Sequence, residues 1–169
     1  MDEVSFIVFY SPRQSNIFCI LSSLRGVFQQ SGGVKKIIAQ YLHYKHKKLQ
    51  FRTGIELYPG CADIGVRVNH GKCVVSKAAR IGRDSVILSD VTIGGEGGAR
   101  DDGAAIIGER VFLSTGVKII GKISICNDVV IGANAVVTKD ITEPGTVWVG
   151  IPARKIGNVG DRPLINKIN

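Results

Sequence analysis

The sequence IGERVF LSTGVK IIGKIS ICNDVV IGANAV VTKDIT, residues 107–142, consists of six consecutive hexads. Every residue at the first and fifth positions of these hexads is aliphatic. Since 44% of the chain is hydrophobic, such a run would occur by chance about once in 20,000 times, and the stretch is therefore a repeat. The aliphatic residues are Ile107, Leu113, Ile119, Ile125, Ile131 and Val137 at the first position and Val111, Val117, Ile123, Val129, Ala135 and Ile141 at the fifth.

A period of six predicts an all-β solenoid. Short strands that turn at regular corners bring the first and fifth residues of each hexad to one continuous interior. Small residues allow close approach at such corners, and they occupy the second positions with the exception of Ile120: Gly108, Ser114, Cys126, Gly132 and Thr138. A sandwich of unrelated buried strands is disfavoured, because its strands alternate with a period of two.

The hexads divide the chain into three regions. Further hexads begin at Val75, Ile81, Ile87 and Ile93, and the solenoid is predicted to span residues 54–157. A glycine-rich insert at residues 95–104 interrupts it and predicts a protruding loop, which is where binding residues often lie. Residues 1–53 form an N-terminal segment, and residues 158–169 form a polar tail.

Residues 34–51 combine apolar residues at helical spacing with lysines, for example Ile37 and Tyr41 with Lys45, Lys47 and Lys48. This pattern predicts a helix, preceded in residues 1–34 by a short strand or disordered start and a further helix. Two roles remain open for the helix at residues 34–51. It caps the open end of the solenoid, or it lies on an anionic membrane surface.

Composition narrows the partners and the compartment. The chain has 169 residues and a formal charge of +8, which favours anionic partners such as nucleotide-like cofactors or anionic lipid. Nucleic acid is the least favoured, because the basic residues are not interleaved with aromatic ones and no nucleic-acid-binding motif is found. Four cysteines without a C-x-x-C pair predict small buried thiols in a reducing cytoplasm, without disulfide or metal. Neither a signal peptide nor a membrane-spanning apolar run is recognised.

Two segments, IGANAVV at residues 131–137 and VGIPARKI at residues 149–156, resemble the hexapeptide-repeat acyltransferases. Within that family, GIELYP at 54–59, NHG at 69–71 and VTIGG at 91–95 are similar to the serine acetyltransferase branch. The resemblance covers about residues 50–157. It implies a left-handed parallel β-helix, acetyl-CoA as the acetyl donor, and a homotrimer with active sites between neighbouring subunits.

The chain departs from the serine acetyltransferase pattern in two ways. Only about fifty residues precede the solenoid, where that branch has a long helical domain. Asn69 stands where the branch has an aspartate before its catalytic histidine, and the insert holds Asp101 and Asp102 but no histidine. With these two changes the sequence is more similar to the O-acetyltransferases of surface-polysaccharide assembly. It therefore predicts that the acetyl group is transferred to a sugar hydroxyl of the polysaccharide or its precursor. Serine O-acetylation in cysteine biosynthesis and a non-catalytic binding solenoid are the alternatives.

Acetyl transfer to a hydroxyl needs a base whose pKa lies near the working pH, which favours histidine. The chain has three histidines, of which His43 and His46 lie among the lysines of the predicted helix. His70 matches the catalytic position of the resembled family and is the predicted general base. The resemblance also implies that Glu56, three residues before the family's proline, is the carboxylate that orients it.

Coenzyme A needs a groove for its pantetheine arm and cations for its phosphates. At the start of the insert, Gly94 and Gly95 could donate backbone N–H groups to the oxyanion and allow the cofactor to approach closely. The acceptor is predicted to contact Asn69, Asp101 and Asp102, although the two aspartates could serve only to solvate the loop. The remaining candidates are Ser114, Gly116, Gly132 and Ala133 for the groove, and Lys118, Lys139, Arg154 and Lys155 for the phosphates.

Overall fold

The structure is a computed structural model that describes residues 34–69, 71–95, 97 and 103–161. The elements predicted within residues 1–33 and the tail at 162–169 lie outside these ranges, as do His70, Asp101 and Asp102. The described chain begins with a helix and continues as a succession of short strands.

The helix α1 spans Val34–Thr53. The strands are short because the chain turns at the fourth position of many hexads, where Asp84, Asp90, Arg110, Asp128 and Asn134 have positive φ angles. A 3-10 turn at Val159–Asp161 ends the described chain. The strands are β1 Ile55–Glu56, β2 Arg67–Val68, β3 Cys73–Val75, β4 Arg80–Ile81, β5 Val86–Ile87, β6 Val91–Gly94, β7 Ile106–Ile107, β8 Phe112–Leu113, β9 Lys118–Ile120, β10 Ser124–Ile125, β11 Val130–Ile131, β12 Val136–Val137, β13 Thr146–Val149 and β14 Arg154–Asn158.

The strands form three sheets, which are the three sides of a parallel β-helix. Sheet A has the order β1-β3-β6-β9-β12, sheet B the order β4-β7-β10, and sheet C the order β2-β5-β8-β11-β13-β14. In the regular coils, paired residues such as Cys73 and Val91 are 18 positions apart, so three hexads make one coil. Strands β13 and β14 pair in the antiparallel sense and form a hairpin at the C-terminal end.

The interior of the β-helix confirms the hexad pattern. Of the twelve aliphatic positions in residues 107–142, eleven are at most 2% exposed and Ile123 is partly buried. The same column continues toward the N-terminus through Val75, Ile81, Ile87 and Ile93, each at most 2% exposed. Each coil therefore buries its apolar side chains against the coils on either side, and this burial is the main stabilising term of the fold.

Stacked glycines explain the small second positions at the corner between sheets B and C. A Cβ on Gly82 would lie 2.6 Å from the carbonyl carbon and oxygen of Gly108, and a Cβ on Gly108 would lie 2.4 Å from Asn127 Oδ1. Both distances are too short for non-bonded atoms, so a side chain at either position would push the coils apart. The corner requires glycine because of this close approach.

The insert leaves the β-helix between sheets A and B without disturbing the pairing beyond it. Across the insert, Thr92 pairs with Lys118, which is 26 positions later. This separation is eight positions longer than in a regular coil. Ala105, at the end of the insert, is fully buried again. The chain between these two strands is therefore eight residues longer than in a regular coil, and the next coil resumes in register.

One face of α1 packs on the first coil. Leu42, His46 and Gln50 are at most 9% exposed, and Leu49 packs against the interior cluster. Gln50 Nε2 donates a hydrogen bond to the backbone carbonyl of Leu57, directly after β1 (3.2 Å). Such contacts are expected of a helix that caps the open end of the solenoid. In the described residues, no helix combines the length and apolar character needed to cross a bilayer.

The cysteines of the described chain are free thiols, and two of them belong to the interior. Cys61 and Cys73 are at most 1% exposed. Burial raises the pKa of the Cys73 thiol to about 12. Both thiols therefore stay protonated at neutral pH and pack as small apolar groups.

Candidate active site

One corner of the β-helix brings together many of the predicted site residues. At this C–A corner the chain passes from sheet C to sheet A in four successive coils, at residues 69–72, 88–90, 114–116 and 132–134. Backbone hydrogen bonds stack these turns: the N–H of Asn69 donates to Ile87 O (2.8 Å) and that of Ser114 to Ile131 O (3.0 Å). Two to three coil spacings, about 10–14 Å, separate Asn69 from the predicted groove residues Ser114, Gly116, Gly132 and Ala133.

Asn69 presents an unsatisfied acceptor at the first turn of the C–A corner. Its side-chain oxygen Oδ1 is shielded from solvent and has no hydrogen-bond partner in the part of the chain that the structure describes. An unpartnered buried polar atom costs about 1–3 kcal/mol of folding free energy. A ligand that supplies the missing donor would remove this cost, so Asn69 Oδ1 is a candidate contact for the acceptor substrate.

The predicted base, His70, lies outside the described residues, but the chain next to it is well defined. Gly71 has a φ angle of +84°, a conformation in which a side chain would be strained. The turn leads directly into β3, where Val74 pairs with Glu56 of β1. The predicted orienting carboxylate therefore lies on the strand adjacent to the one that follows His70 in sequence.

Glu56 is half-buried and is held on one side by a tyrosine. The hydroxyl of Tyr58 donates a hydrogen bond to Glu56 Oε1 at 2.7 Å. The second carboxylate oxygen, Oε2, makes no hydrogen bond to another described residue. A carboxylate can accept on both oxygens, so Oε2 remains available to an imidazole.

Lys118 and Gly94, two predicted cofactor-binding residues on sheet A, differ in whether the chain itself already occupies them. The ammonium of Lys118 donates to Asp90 O (2.6 Å) and to Thr92 Oγ1 (3.1 Å), so it already ties β9 to the C–A corner. At Gly94 a Cβ would meet no atom of the described residues within 4 Å, whereas at Gly95 it would lie 3.1 Å from the carbonyl oxygen of residue 103. The packing of the described residues does not require glycine at position 94, and the space that they leave there can admit a ligand.

A cleft of about 260 Å³ at the C-terminal end collects two of the predicted phosphate cations. Lys139 and Arg154 line it together with the indole of Trp148. Within the described residues, neither of these two cations forms an ion pair, since the ion pairs there involve other side chains. Lys155, in contrast, pairs with Glu143 (Nζ to Oε2, 2.5 Å). The cleft thus offers two cations and an aromatic surface to a ligand.

Tyr58 and Trp148 are candidate site residues that were not predicted from the sequence. Both carried a signal. Tyr58 follows Glu56 by two positions, and in an extended chain residues two apart point to the same side. Trp148 is the sole tryptophan of the chain and precedes the VGIPARKI segment by one residue.

The chain is similar to serine acetyltransferases along nearly its whole length. No family model matches it. It is 34% identical to a serine acetyltransferase from Staphylococcus xylosus, over 95% of this chain and 78% of that relative. The chain belongs to the serine acetyltransferase family. A serine acetyltransferase from Mycobacterium tuberculosis is 40% identical over 66% of the chain, which spans about half (49%) of the length of that relative.

Solved serine acetyltransferases have the same fold. A soybean serine acetyltransferase complexed with serine gives a TM-score of 0.69 at 28% identity, over 83% of this chain and 56% of that chain. A serine acetyltransferase complexed with CoA gives a TM-score of 0.67 at 24% identity, over 87% and 58% of the two chains, which shows the fold alone. The predicted left-handed parallel β-helix with a short N-terminal helix is confirmed.

Family membership confirms one prediction and corrects another. The predicted acyltransferase class, with acetyl-CoA as donor, is confirmed at the level of the family. The predicted sugar acceptor of a surface polysaccharide is wrong, because the relatives and the similar solved structures are serine acetyltransferases. The prediction gave too much weight to asparagine at position 69. An asparagine keeps a hydrogen-bond acceptor, and in Asn69 this oxygen is buried and has no partner in the described part of the chain.

Proposed function

We propose that the chain transfers an acetyl group from acetyl-CoA to the hydroxyl of L-serine and produces O-acetyl-L-serine. The observation that carries this proposal is the buried Oδ1 of Asn69, which has no hydrogen-bond partner among the described residues and precedes His70 in sequence. Serine differs from a simple alcohol in its ammonium group, which brings N–H donors in addition to the hydroxyl. Asn69 Oδ1 can accept one of these N–H groups, so it suits an amino-acid acceptor.

His70 is the proposed general base. It removes the proton of the serine hydroxyl as the hydroxyl oxygen attacks the thioester carbonyl. The new C–O bond forms, the C–S bond breaks, and the imidazolium returns the proton to the departing sulfur. Glu56 lies on β1 and orients the imidazole through Oε2. Gly94 lies at the opposite edge of sheet A from residues 69–71, so the backbone N–H groups that stabilise the oxyanion there would come from a neighbouring subunit.

The proposed cofactor path follows the C–A corner. Acetyl-CoA places its thioester near residues 69–71 and its pantetheine arm along the turns at 114–116 and 132–134, where small residues leave room. Lys139 and Arg154 hold its phosphates in the C-terminal cleft, since neither has an ion-pair partner within the described chain. A homotrimer, which the resemblance implies, would cover this corner with a neighbouring subunit.

Replacing Asn69 with leucine tests the proposed serine contact. The substitution keeps the approximate size of the side chain and removes the hydrogen-bond acceptor Oδ1. We expect the KM for L-serine to rise at least about 10-fold, because a hydrogen bond to a charged group contributes roughly 1.5–3 kcal/mol. The KM for acetyl-CoA should not change, and thermal stability should stay equal or increase, because the unsatisfied oxygen is gone. Steady-state kinetics that follow release of the CoA thiol measure the effect.

Asn69→Asp is the matched control, since aspartate keeps an acceptor at the same position. Its KM for L-serine should stay within a few-fold of the wild-type value. An Asn69→Leu enzyme with the wild-type KM for serine would contradict the assignment of Asn69 to the acceptor site.

We propose separately that α1 contacts an anionic membrane surface. Its outer face, opposite the packed one, exposes Ile37 (67%), Tyr41 (57%), Tyr44 (60%) and Phe51 (95%). The helix sequence contains six lysines and arginines and no acid. This charge disfavours pairing of α1 with a second copy, and residues 1–33, with two acids and two arginines, offer no net negative charge. An interface with apolar and aromatic residues flanked by cations fits anionic lipid.

Vesicle binding tests this contact. The wild-type protein should sediment with vesicles that contain phosphatidylglycerol and not with pure phosphatidylcholine, and binding should weaken with salt. Lys45→Glu with Lys48→Glu should abolish sedimentation, since each juxtamembrane cation contributes about 1 kcal/mol. The control pair Lys77→Glu and Lys122→Glu has the same change of charge on the β-helix and should bind like the wild type. Equal binding by both pairs would contradict the proposal.

A further inference from the structure

We infer that Tyr58 is a positioning residue that holds the Glu56 carboxylate for the reaction, and that α1 supports it through Lys47. The inference rests on the proposed function, in which Glu56 orients His70. It assigns a role in the active site to the N-terminal helix, which would otherwise serve only as a cap or a membrane contact.

The side chains of Tyr58 and Glu56 are in direct contact. The Tyr58 hydroxyl donates to Glu56 Oε1 at 2.7 Å, which is a short and well-formed hydrogen bond to a carboxylate. It occupies one of the two carboxylate oxygens and directs the other away from the tyrosine. The bond therefore selects one orientation of the carboxylate plane.

The glutamate side chain is long and needs a restraint. Glutamate has one more rotatable bond than the aspartate of the resembled family, so its carboxylate can occupy more positions. An orienting carboxylate must be held in place to be effective, because a misplacement of about 1 Å can reduce a rate about 100-fold. Tyr58 supplies the restraint that the extra methylene of Glu56 requires.

The ring of Tyr58 is itself held in place. The ring packs against the interior cluster, and the ammonium of Lys47 lies over it, 5.6 Å from its centroid. Lys47 belongs to α1, and the hydrogen bond from Gln50 to Leu57 O fixes that part of the helix to β1. Contacts thus run from α1 through Tyr58 to the carboxylate.

A double-mutant cycle tests the inference. Tyr58→Phe removes the hydroxyl and keeps the ring. We expect it to lower kcat for serine acetylation about 10-fold, the scale of a lost hydrogen bond to a charged group, with an unchanged KM for acetyl-CoA. In a Glu56→Gln background the same substitution should change kcat less than about 2-fold, because Tyr58 acts through Glu56. Thr142→Val, which removes an exposed hydroxyl elsewhere, should leave kcat at the wild-type value.

The four enzymes of the cycle, namely the wild type, the two single variants and the double variant, are also assayed for hydrolysis of acetyl-CoA without serine. In this reaction water replaces the serine hydroxyl. The non-additive pattern should recur, because the base and its orienting carboxylate are the same. A wild-type enzyme that hydrolyses acetyl-CoA but does not acetylate serine would contradict the proposed acceptor and leave the cycle interpretable. Additive effects of the two substitutions in an active enzyme would overturn the positioning role.

Discussion

Replacing His70 with alanine is expected to lower kcat for acetyl transfer by about 10²–10⁴-fold, the usual contribution of a general base. The serine hydroxyl would then have to lose its proton to solvent. The KM for acetyl-CoA should remain unchanged, because the proposed cofactor path lies mainly on coils about 10–14 Å along the axis. Thermal unfolding should also be unchanged, since residue 70 lies outside the hexad positions that fill the interior. Stopped-assay kinetics and a melting curve measure both quantities.

His43→Gln is the control for the loss of a histidine. His43 lies on α1 at a half-buried position. Its replacement should leave kcat within about 2-fold of the wild type, as for a substitution outside the reacting groups. Loss of activity in both variants, or in neither, would refute His70 as the base.

Replacing Leu113 with alanine is expected to lower the free energy of unfolding by about 2–5 kcal/mol, the range for a buried leucine that leaves a cavity. Leu113 occupies a first position of the repeat, is fully buried, and lies between Ile87 and Ile131, which pair with it in the coils on either side. Its loss opens a cavity in the middle of the column. Denaturant unfolding at a fixed protein concentration measures the change, because subunit assembly would make stability depend on concentration.

Leu88→Ala makes the same chemical change at a second position of a hexad, where the side chain is half-buried. It should lower the free energy of unfolding clearly less than Leu113→Ala does, since less apolar surface returns to water and no enclosed cavity forms. Equal losses for the two leucines would contradict the assignment of first positions to the interior.

The regular part of the fold could be predicted because its information is local. A period of six determines which residue of each hexad faces inward, and Ile119 or Val137 need no knowledge of the rest of the chain to be placed there. The insert and the helix α1 were also predictable, from a run of glycines and from helical spacing. The 26-position pairing across the insert was not, because it depends on which strand resumes contact after the loop.

The site was only partly predictable, because its contacts connect residues from separate elements. The small residues Ser114 and Gly132 could be assigned to one edge from their place in the hexads. Lys118 and Lys139 looked equivalent in the sequence, yet the structure gives the first lysine two oxygen partners of its own and places the second in a cleft. The acceptor was predicted wrongly because a few polar contacts near residue 69 and in the insert determine it, and these follow no period.

The central claim is tested most directly by incubating the purified wild-type protein with acetyl-CoA and L-serine. The account predicts release of CoA that depends on L-serine, together with an equal amount of O-acetyl-L-serine, identified by its mass. It also predicts little release of CoA with ethanol, which has a hydroxyl but no ammonium group to donate a hydrogen bond to Asn69 Oδ1. CoA release that does not respond to L-serine, or that rises equally with ethanol, would contradict the account.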